Sequence, residues 1–274
     1  MTAGMAAADP ASTPLPAATV LLLRPAEPQL QVLMVVRHEK IDFASGALVF
    51  PGGKVDAADG DPLLAPYISG ADAFDDLARA FRVAAIREAF EESGVLLARE
   101  RGSRDTLPAN RLNELASYRK GLESGEVTML DLVTRENLQL ATDLLIDYSH
   151  WVTPAFVPKR FDTWFFLARA PADQIAVHDG RELVDSVWIS PATALEDLAA
   201  KRRTILFPTR LNLMMLDESR TTDEAFDAAR VRPIKTVEPR ISEREGSKWL
   251  TIDSDAGYAL TEIPVDPNRH ARSR

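Results

Sequence analysis

The sequence predicts an α+β fold, and three observations carry that prediction. Apolar runs of strand length occur at Ala18 to Leu23, Leu30 to Val36 and Arg160 to Ala168. Between them, the run Ala47 to Phe50 leads into Pro51-Gly52-Gly53, and a helical stretch further on is stopped at Gly94. With 274 residues, 46% of them hydrophobic, the chain can bury a large core.

Residues 1–16, rich in Ala, Pro, Ser and Thr, lack a basic start followed by a long apolar core, so they read as a flexible tail and not as a signal peptide. Arg24-Pro25-Ala26-Glu27-Pro28 is turn-forming and makes the first two strands a hairpin or sheet neighbours. Pro51-Gly52-Gly53 predicts a tight turn. Ala57 to Asp72 reads as an excursion, with Asp72 capping a helix whose first turn carries Asp75 and Asp76. Val95 to Leu97 predicts a short strand beneath that helix.

The next stretch reads as mostly helical. Leu112, Leu115, Tyr118 and Leu122 form an apolar stripe over Pro108 to Leu122, with Asn110 as cap and Gly121 as terminator. Thr134 caps a second helix to Ile146, along which Leu138, Ala141 and Leu145 share a face. Strands resume at Trp151 to Thr153 and Arg160 to Ala168, where Trp164, Phe165, Phe166 and Leu167 read as core. His178 to Glu182 is a polar turn before a strand at Val184 to Ile189. Ser190 and Pro191 then start a helix that runs to about Lys201. Thr209 caps a helix within Ile205 to Leu216, and Thr221 or Thr222 caps another through Arg230 with Glu224 in its first turn. Trp249 to Ile252 and Tyr258 to Leu260 form a hairpin joined by Asp253 to Gly257.

Chemistry concentrates in Arg87-Glu88-Ala89-Phe90-Glu91-Glu92-Ser93-Gly94-Val95. Glu88, Glu91 and Glu92 are spaced i, i+3 and i+4, which puts three carboxylates on one helical face. Like charges so close repel unless a cation neutralises them, and oxygen donors suit hard Mg²⁺ or Mn²⁺. Gly52 and Gly53 permit close backbone approach to this face.

These residues resemble the Nudix box. Gly53 stands for its second glycine, and Arg87, Glu88, Glu91, Glu92, Gly94 and Val95 match its second half, with Ala89 in the apolar place. The interval from Gly53 to Arg87 holds 33 residues (87 − 53 − 1), far more than an uninterrupted box, so the box is interrupted by an inserted loop. Asp59 stands six places after Gly53, where the family has a glutamate, with Asp56, Asp75 and Asp76 as rivals for that part. Within the superfamily the chain resembles the branch related to peroxisomal and mitochondrial coenzyme A diphosphatases. Arg37-His38-Glu39-Lys40 and Gly46 partly match an arginine-bearing motif of coenzyme A pyrophosphatases, without an obvious second arginine.

The resemblance implies a Nudix α/β/α sandwich with a mixed sheet, a helical insertion and a C-terminal extension. It divides the chain into the tail, an elaborated domain at 17–215 and an extension at 216–274. It implies that Glu88, Glu91 and Glu92 bind Mg²⁺ or Mn²⁺, that Arg87 orients them by salt bridge, and that water attacks phosphorus in a diphosphate. Gly52, Gly53 and Arg37 are the candidate cofactor-binding residues, the glycines by letting the backbone approach and setting the loop that orients the helix. Glu182 is the candidate for the distant acidic residue that accepts a proton, with Asp179 and Asp185 as rivals. The substrate is then a small phosphorylated metabolite, with coenzyme A or an acyl derivative ahead of other nucleoside diphosphate derivatives. A Nudix-like protein that binds such a metabolite without cleaving it is the alternative, and a scaffold using the helical insertion is a third class.

The remaining composition excludes several chemistries. Without cysteine there is no disulfide, thiolate nucleophile or sulfur-ligated metal, and four scattered histidines make no zinc centre. A formal charge of −9 argues against duplex nucleic acid as a partner. The longest apolar runs fall short of a membrane span, so a cytoplasmic protein with no membrane partner is expected. The additions to the core offer a lid or a homodimer surface.

Overall fold

The computed structural model describes residues 13–36, 46–174 and 186–265. The chain opens with strands β1 (Leu15–Arg24), β2 (Gln31–Val36), β3 (Leu48–Val49) and β4 (Gly52–Lys54). Three 3₁₀ turns at Ala57–Gly60, Pro62–Tyr67 and Ala71–Ala73 lead to helix α1 (Asp76–Ser93). Next come β5 (Ala98–Glu100), the short helices α2 (Ala109–Leu115), α3 (Tyr118–Ser124) and α4 (Met129–Arg135), and β6 (Leu138–Leu140). The sheet resumes with β7 (Ile146–Val152), β8 (Phe161–Arg169) and β9 (Ser186–Ile189), followed by helices α5 (Pro191–Ala199), α6 (Phe207–Asp217) and α7 (Thr222–Val231). The described chain ends in β10 (Thr236–Val237), β11 (Arg240–Arg244), β12 (Ser247–Thr251) and β13 (Glu262–Pro264).

Among the described residues the main sheet runs β10-β7-β8-β1-β2-β3, with β4 on β1 and β9 on β2. It is mixed, because β8 pairs parallel with β1 and β10 with β7 while the other pairs are antiparallel. Period-two alternation sorts its side chains onto two buried faces. Ala18, Val20, Leu22, Leu33, Phe166 and Ala168 pack with α1 and the α2–α4 group. Leu21, Leu23, Val32, Met34, Phe165 and Leu167 pack with α5, α6 and α7. The result is the expected α/β/α sandwich.

One irregularity of this sheet positions the site. β1 and β2 are paired at Leu23↔Val32 and Arg24↔Gln31. Further on they diverge, β2 taking β3 as partner and β1 taking β4. The β3–β4 segment therefore sits in the fork, held by a hydrogen bond from the Val20 N–H to the Pro51 carbonyl at 2.9 Å. Gly52 and Gly53 are thus strand residues paired with Thr19 and Ala18, and not the free tight turn that the sequence suggested.

Several helix limits depart from expectation for local reasons. Asp75, not Asp72, caps α1, its carboxylate accepting from the Ala78 N–H at 2.7 Å, while Asp72 lies in the last 3₁₀ turn. Gly94, in the left-handed region at φ 74°, ends α1 as expected. The stretch from Pro108 breaks into α2 and α3, with Pro108 in the cap position and Gly125, at φ 73°, as terminator. Gly121 lies inside α3, where a side chain would meet Val127. The predicted helix from Thr134 to Ile146 does not form. Asn137 turns the chain at φ 52°, after which Leu138 and Leu140 alternate inward as β6 against β5. Thr128 caps α4 instead, through a reciprocal box with Asp131.

Residues Val95 to Leu97 are buried but form no strand, the Ala98 N–H bonding back to the Leu96 carbonyl at 3.0 Å, and β5 begins only at Ala98. Leu206 occupies the cap position of α6, and Thr209 is buried within the helix. Ser190 and Thr221 cap α5 and α7 as expected. The terminal hairpin is displaced: β11 and β12 turn through Glu245 and Gly246, both at positive φ, and β13 joins β12 at Glu262–Pro264. Among the described residues no helix is long and apolar enough to cross a membrane.

Candidate active site

The second half of α1 lies against β4. A methyl group on Gly53 would overlap the Glu88 carboxylate, so the absent side chain is what lets that carboxylate lie on the strand. Gly52 meets a harder wall, since a Cβ there would stand 2.6 Å from the Ala18 carbonyl oxygen and 2.8 Å from Thr19 Cα. The Gly52 N–H donates to Glu92 Oε2 at 3.0 Å. Two of the three glutamates therefore address the backbone of the two adjacent glycines.

Arg87 ties the third to them. Its Nη1 donates to Glu88 Oε1 at 2.8 Å and to the Glu91 oxygens at 3.2 and 3.3 Å. Its Nη2 reaches the Lys54 carbonyl at 2.8 Å, which joins the two ends of the interrupted box directly. The remaining edge of the guanidinium grips Asp59, with Nε to Oδ1 and Nη2 to Oδ2 both at 2.9 Å. Lysine has no such fork and could not hold three carboxylates and a carbonyl at once.

Of the four candidate aspartates, Asp59 is the one buried against Arg87. Its side chain is 1% exposed, whereas that of Asp56 is 64% exposed and stands 3.7 Å from Arg87. Asp59 also accepts from the Asp56 N–H at 2.8 Å, closing the first 3₁₀ turn. Asp75 is occupied by its cap and Asp76 by an exposed pair with Arg79.

Burial governs the electrostatics. Desolvation raises the Glu91 carboxyl to about 7, an effect that Arg87 opposes and the Glu88 charge reinforces. Desolvation also pushes Glu88 above the usual carboxylate range against the pull of Arg87, and Asp59 follows for the same reason. Burial pulls Arg87 down, but its bonds to Asp59 and the charges of Glu88 and Glu91 leave it above its ordinary value.

A hard divalent cation fits this donor set, since the donors are carboxylate oxygens and the charges of Glu88 and Glu91 are penalised by desolvation and by neighbouring carboxylates. In these rotamers Glu88 and Glu91 turn to Arg87 and Glu92 to Gly52, and among the described residues no three acidic, histidine or cysteine side chains form a ready-made ion cage. Glu88, Glu91 and Glu92 are the residues that would hold the ion.

The NUDT19 Nudix domain profile matches residues 69–215, which include α1 with Arg87 and all three glutamates. The chain belongs to the Nudix family. Its relatives place this Nudix hydrolase in the coenzyme A diphosphatase branch. Acyl-coenzyme A diphosphatase NUDT19 of Xenopus laevis is 25% identical over 280 residues, covering 87% of this chain and 72% of that protein. Its Homo sapiens namesake is 32% identical over 212 residues, covering 62% and 56%. The crystal structure of a NUDIX hydrolase from Alicyclobacillus acidocaldarius superposes with a TM-score of 0.64 at 26% identity, covering 81% of this chain and 99% of the other.

Two sequence-derived site residues of this Nudix chain, Arg37 and Glu182, lie outside the described residues, as do Asp179 and Asp185. Sequence reading missed Arg119, whose guanidinium donates to the Glu91 backbone carbonyl from α3. No local pattern marks it, because the contact spans 28 residues between separate helices.

Proposed function

We propose that this Nudix hydrolase cleaves the diphosphate linkage of coenzyme A or an acyl-coenzyme A, using Mg²⁺ or Mn²⁺ held by Glu88, Glu91 and Glu92. The observation that carries the reading is the set of carboxylates held beside Gly52-Gly53, Glu88 and Glu91 by Arg87 and Glu92 by the Gly52 N–H. The substrate class is supported by the relatives named acyl-coenzyme A diphosphatases.

When bound, the divalent ion offsets diphosphate charge and acidifies water. The protein's own part is positional. Asp59 fixes the Arg87 guanidinium, Arg87 fixes the Glu88 and Glu91 carboxylates, and the Gly52 N–H fixes Glu92. Gly53 leaves Glu88 the room to lie flat on the strand. A water oxygen bonds to one phosphorus as the bond from that phosphorus to the bridging oxygen breaks. The bridging oxygen leaves with the second phosphate, giving two phosphate monoesters, and Glu182 takes up the proton of the attacking water. Arg37 contributes charge to the substrate phosphates.

The test is hydrolysis of coenzyme A, an acyl-coenzyme A, ADP-ribose, a nucleotide sugar and a diadenosine polyphosphate with Mg²⁺ or Mn²⁺, with Glu91→Gln as blank. The expected result is metal-dependent cleavage that favours coenzyme A derivatives and falls at least a hundredfold in the variant, roughly the scale of losing one transition-state charge stabiliser. Turnover equal in wild type and variant would remove the proposed centre, and preference for another member of the panel would remove the substrate assignment.

A further inference from the structure

Helix α3 carries Arg119 to the last turn of α1. Its Nη2 donates to the Glu91 carbonyl oxygen at 2.8 Å and its Nε to the same oxygen at 3.3 Å. That carbonyl is one of the four that a helix leaves without an internal donor at its C-terminal end. Gly94 closes the helix by giving its N–H to the Phe90 carbonyl at 2.9 Å. The next amide, Val95 N–H, which a longer helix would bring to Glu91, turns to Ser93 Oγ at 3.4 Å. Arg119 supplies the missing donor from outside the helix. A guanidinium there also complements the negative end of the helix dipole, and its fork sets orientation as well as distance.

The contact matters because of which residue owns the carbonyl. Glu91 and its neighbour Glu92 lie in the turn that is otherwise about to fray, and their carboxylates are aimed by its backbone. The helix bearing Arg119 is itself anchored, since Leu122 of α3 is buried in the same core cluster as Phe90 of α1.

We propose that Arg119 is a positioning residue for the divalent-ion site, holding the final turn of α1 so that Glu91 stays on Arg87 and Glu92 on the Gly52 N–H. The proposal rests on the reading that these glutamates hold the ion, and it gives the α2–α4 addition a role in the chemistry.

The experiment compares Arg119→Ala, Arg119→Lys and Glu91→Gln with wild type in the full chain. Mn²⁺ binding is followed by the electron paramagnetic resonance of free Mn²⁺, which needs no turnover, alongside kcat, KM and the melting temperature in EDTA. Arg119→Ala should weaken Mn²⁺ binding about tenfold, the scale of one charge-assisted hydrogen bond. It should lower kcat by a similar factor with KM within about twofold, and Arg119→Lys, which keeps one donor, should fall between. Should Arg119→Ala not fold, Arg119→Lys decides by the same readouts. A lowered melting temperature with Mn²⁺ affinity and kcat per folded molecule unchanged, while Glu91→Gln still weakens binding, overturns the positioning role alone. Wild-type Mn²⁺ affinity in Glu91→Gln overturns the ion-site reading, and this proposal with it.

Discussion

Glu91→Gln should stabilise the metal-free protein at alkaline pH while it abolishes function. The Glu91 carboxyl ionises at about 7, against 4.5 for an ordinary glutamate, because burial penalises its charge. At 1.36 kcal/mol for each factor of ten, that difference has a ceiling of about 3 kcal/mol. Solvent that reaches the partly exposed Glu91 side chain screens part of it, which leaves about 1–2 kcal/mol. The folded-state value is raised, so the native protein binds the proton more tightly than the unfolded chain. The associated stability is complete below about pH 4.5 and is lost as pH rises through about 7. Metal-free wild type should therefore lose stability from pH 5 to pH 8, contrary to the usual carboxylate case. The glutamine variant, with no charge to bury, should lose about 1–2 kcal/mol less over that interval, or about 2–4 °C in melting temperature. Urea unfolding in EDTA at the two pH values measures this directly. A slope attenuated but not abolished is expected, since Glu88 and Asp59 are raised for the same reason. Identical pH slopes in wild type and variant would refute the claim that desolvation of Glu91 is the dominant strain in the site.

The two glycines should separate function from stability. Gly53→Ala collides with the movable end of a side chain, so Glu88 should swing away and turnover should fall with little change in unfolding midpoint. Gly52→Ala collides with the backbone of β1, so it should destabilise by about 1–3 kcal/mol in urea unfolding. Equal effects of the two on midpoint would contradict the geometry. Asp59→Asn puts an amide N–H where a carboxylate oxygen accepts from Arg87, so turnover should fall; because burial raises the Asp59 carboxyl as it does Glu91, the variant's melting temperature relative to wild type should improve as pH rises from 5 to 8. Unchanged turnover would mean that Glu88 and Glu91 suffice to hold Arg87.

The parts of the fold that were legible in the sequence are those where a local signal agrees with its tertiary use. Strands β1, β2 and β8 announce themselves as apolar runs because both of their faces are buried, and Gly94, Ser190 and Thr221 mark helix ends by chemistry that needs no distant partner. Residues 134–146 failed because Leu138, Ala141 and Leu145 satisfy a helical stripe equally well as a short strand, a 3₁₀ turn and a linker. Pairing of β6 with β5, forty residues away in sequence, decided between them. Gly121 misled in the opposite sense, since its small size serves close packing on Val127 and not termination.

The candidate site shows the same division at finer scale. Arg87 and the three glutamates share one helix, so their relation is fixed by 3.6-residue periodicity and survives any change elsewhere in the chain. Asp59 and Arg119 come from other segments, and only the fold brings them to that face. What makes the interrupted box workable is that the excursion is itself folded. Leu64 and Ile68 are buried in the α1-side core, the Ser69 N–H donates to the Leu140 carbonyl at 2.9 Å, and Thr142 Oγ1 donates to the Ser69 carbonyl at 2.5 Å. Loop-closure entropy rises only logarithmically with length, so these anchors outweigh the extra residues. The 2.8 Å contact from Arg87 to the Lys54 carbonyl then fixes the strand and helix halves of the box to each other whatever the length of chain between them. A longer or shorter excursion that kept Asp59 in its 3₁₀ turn would leave the carboxylate face intact, whereas moving Asp59 by a single residue would not.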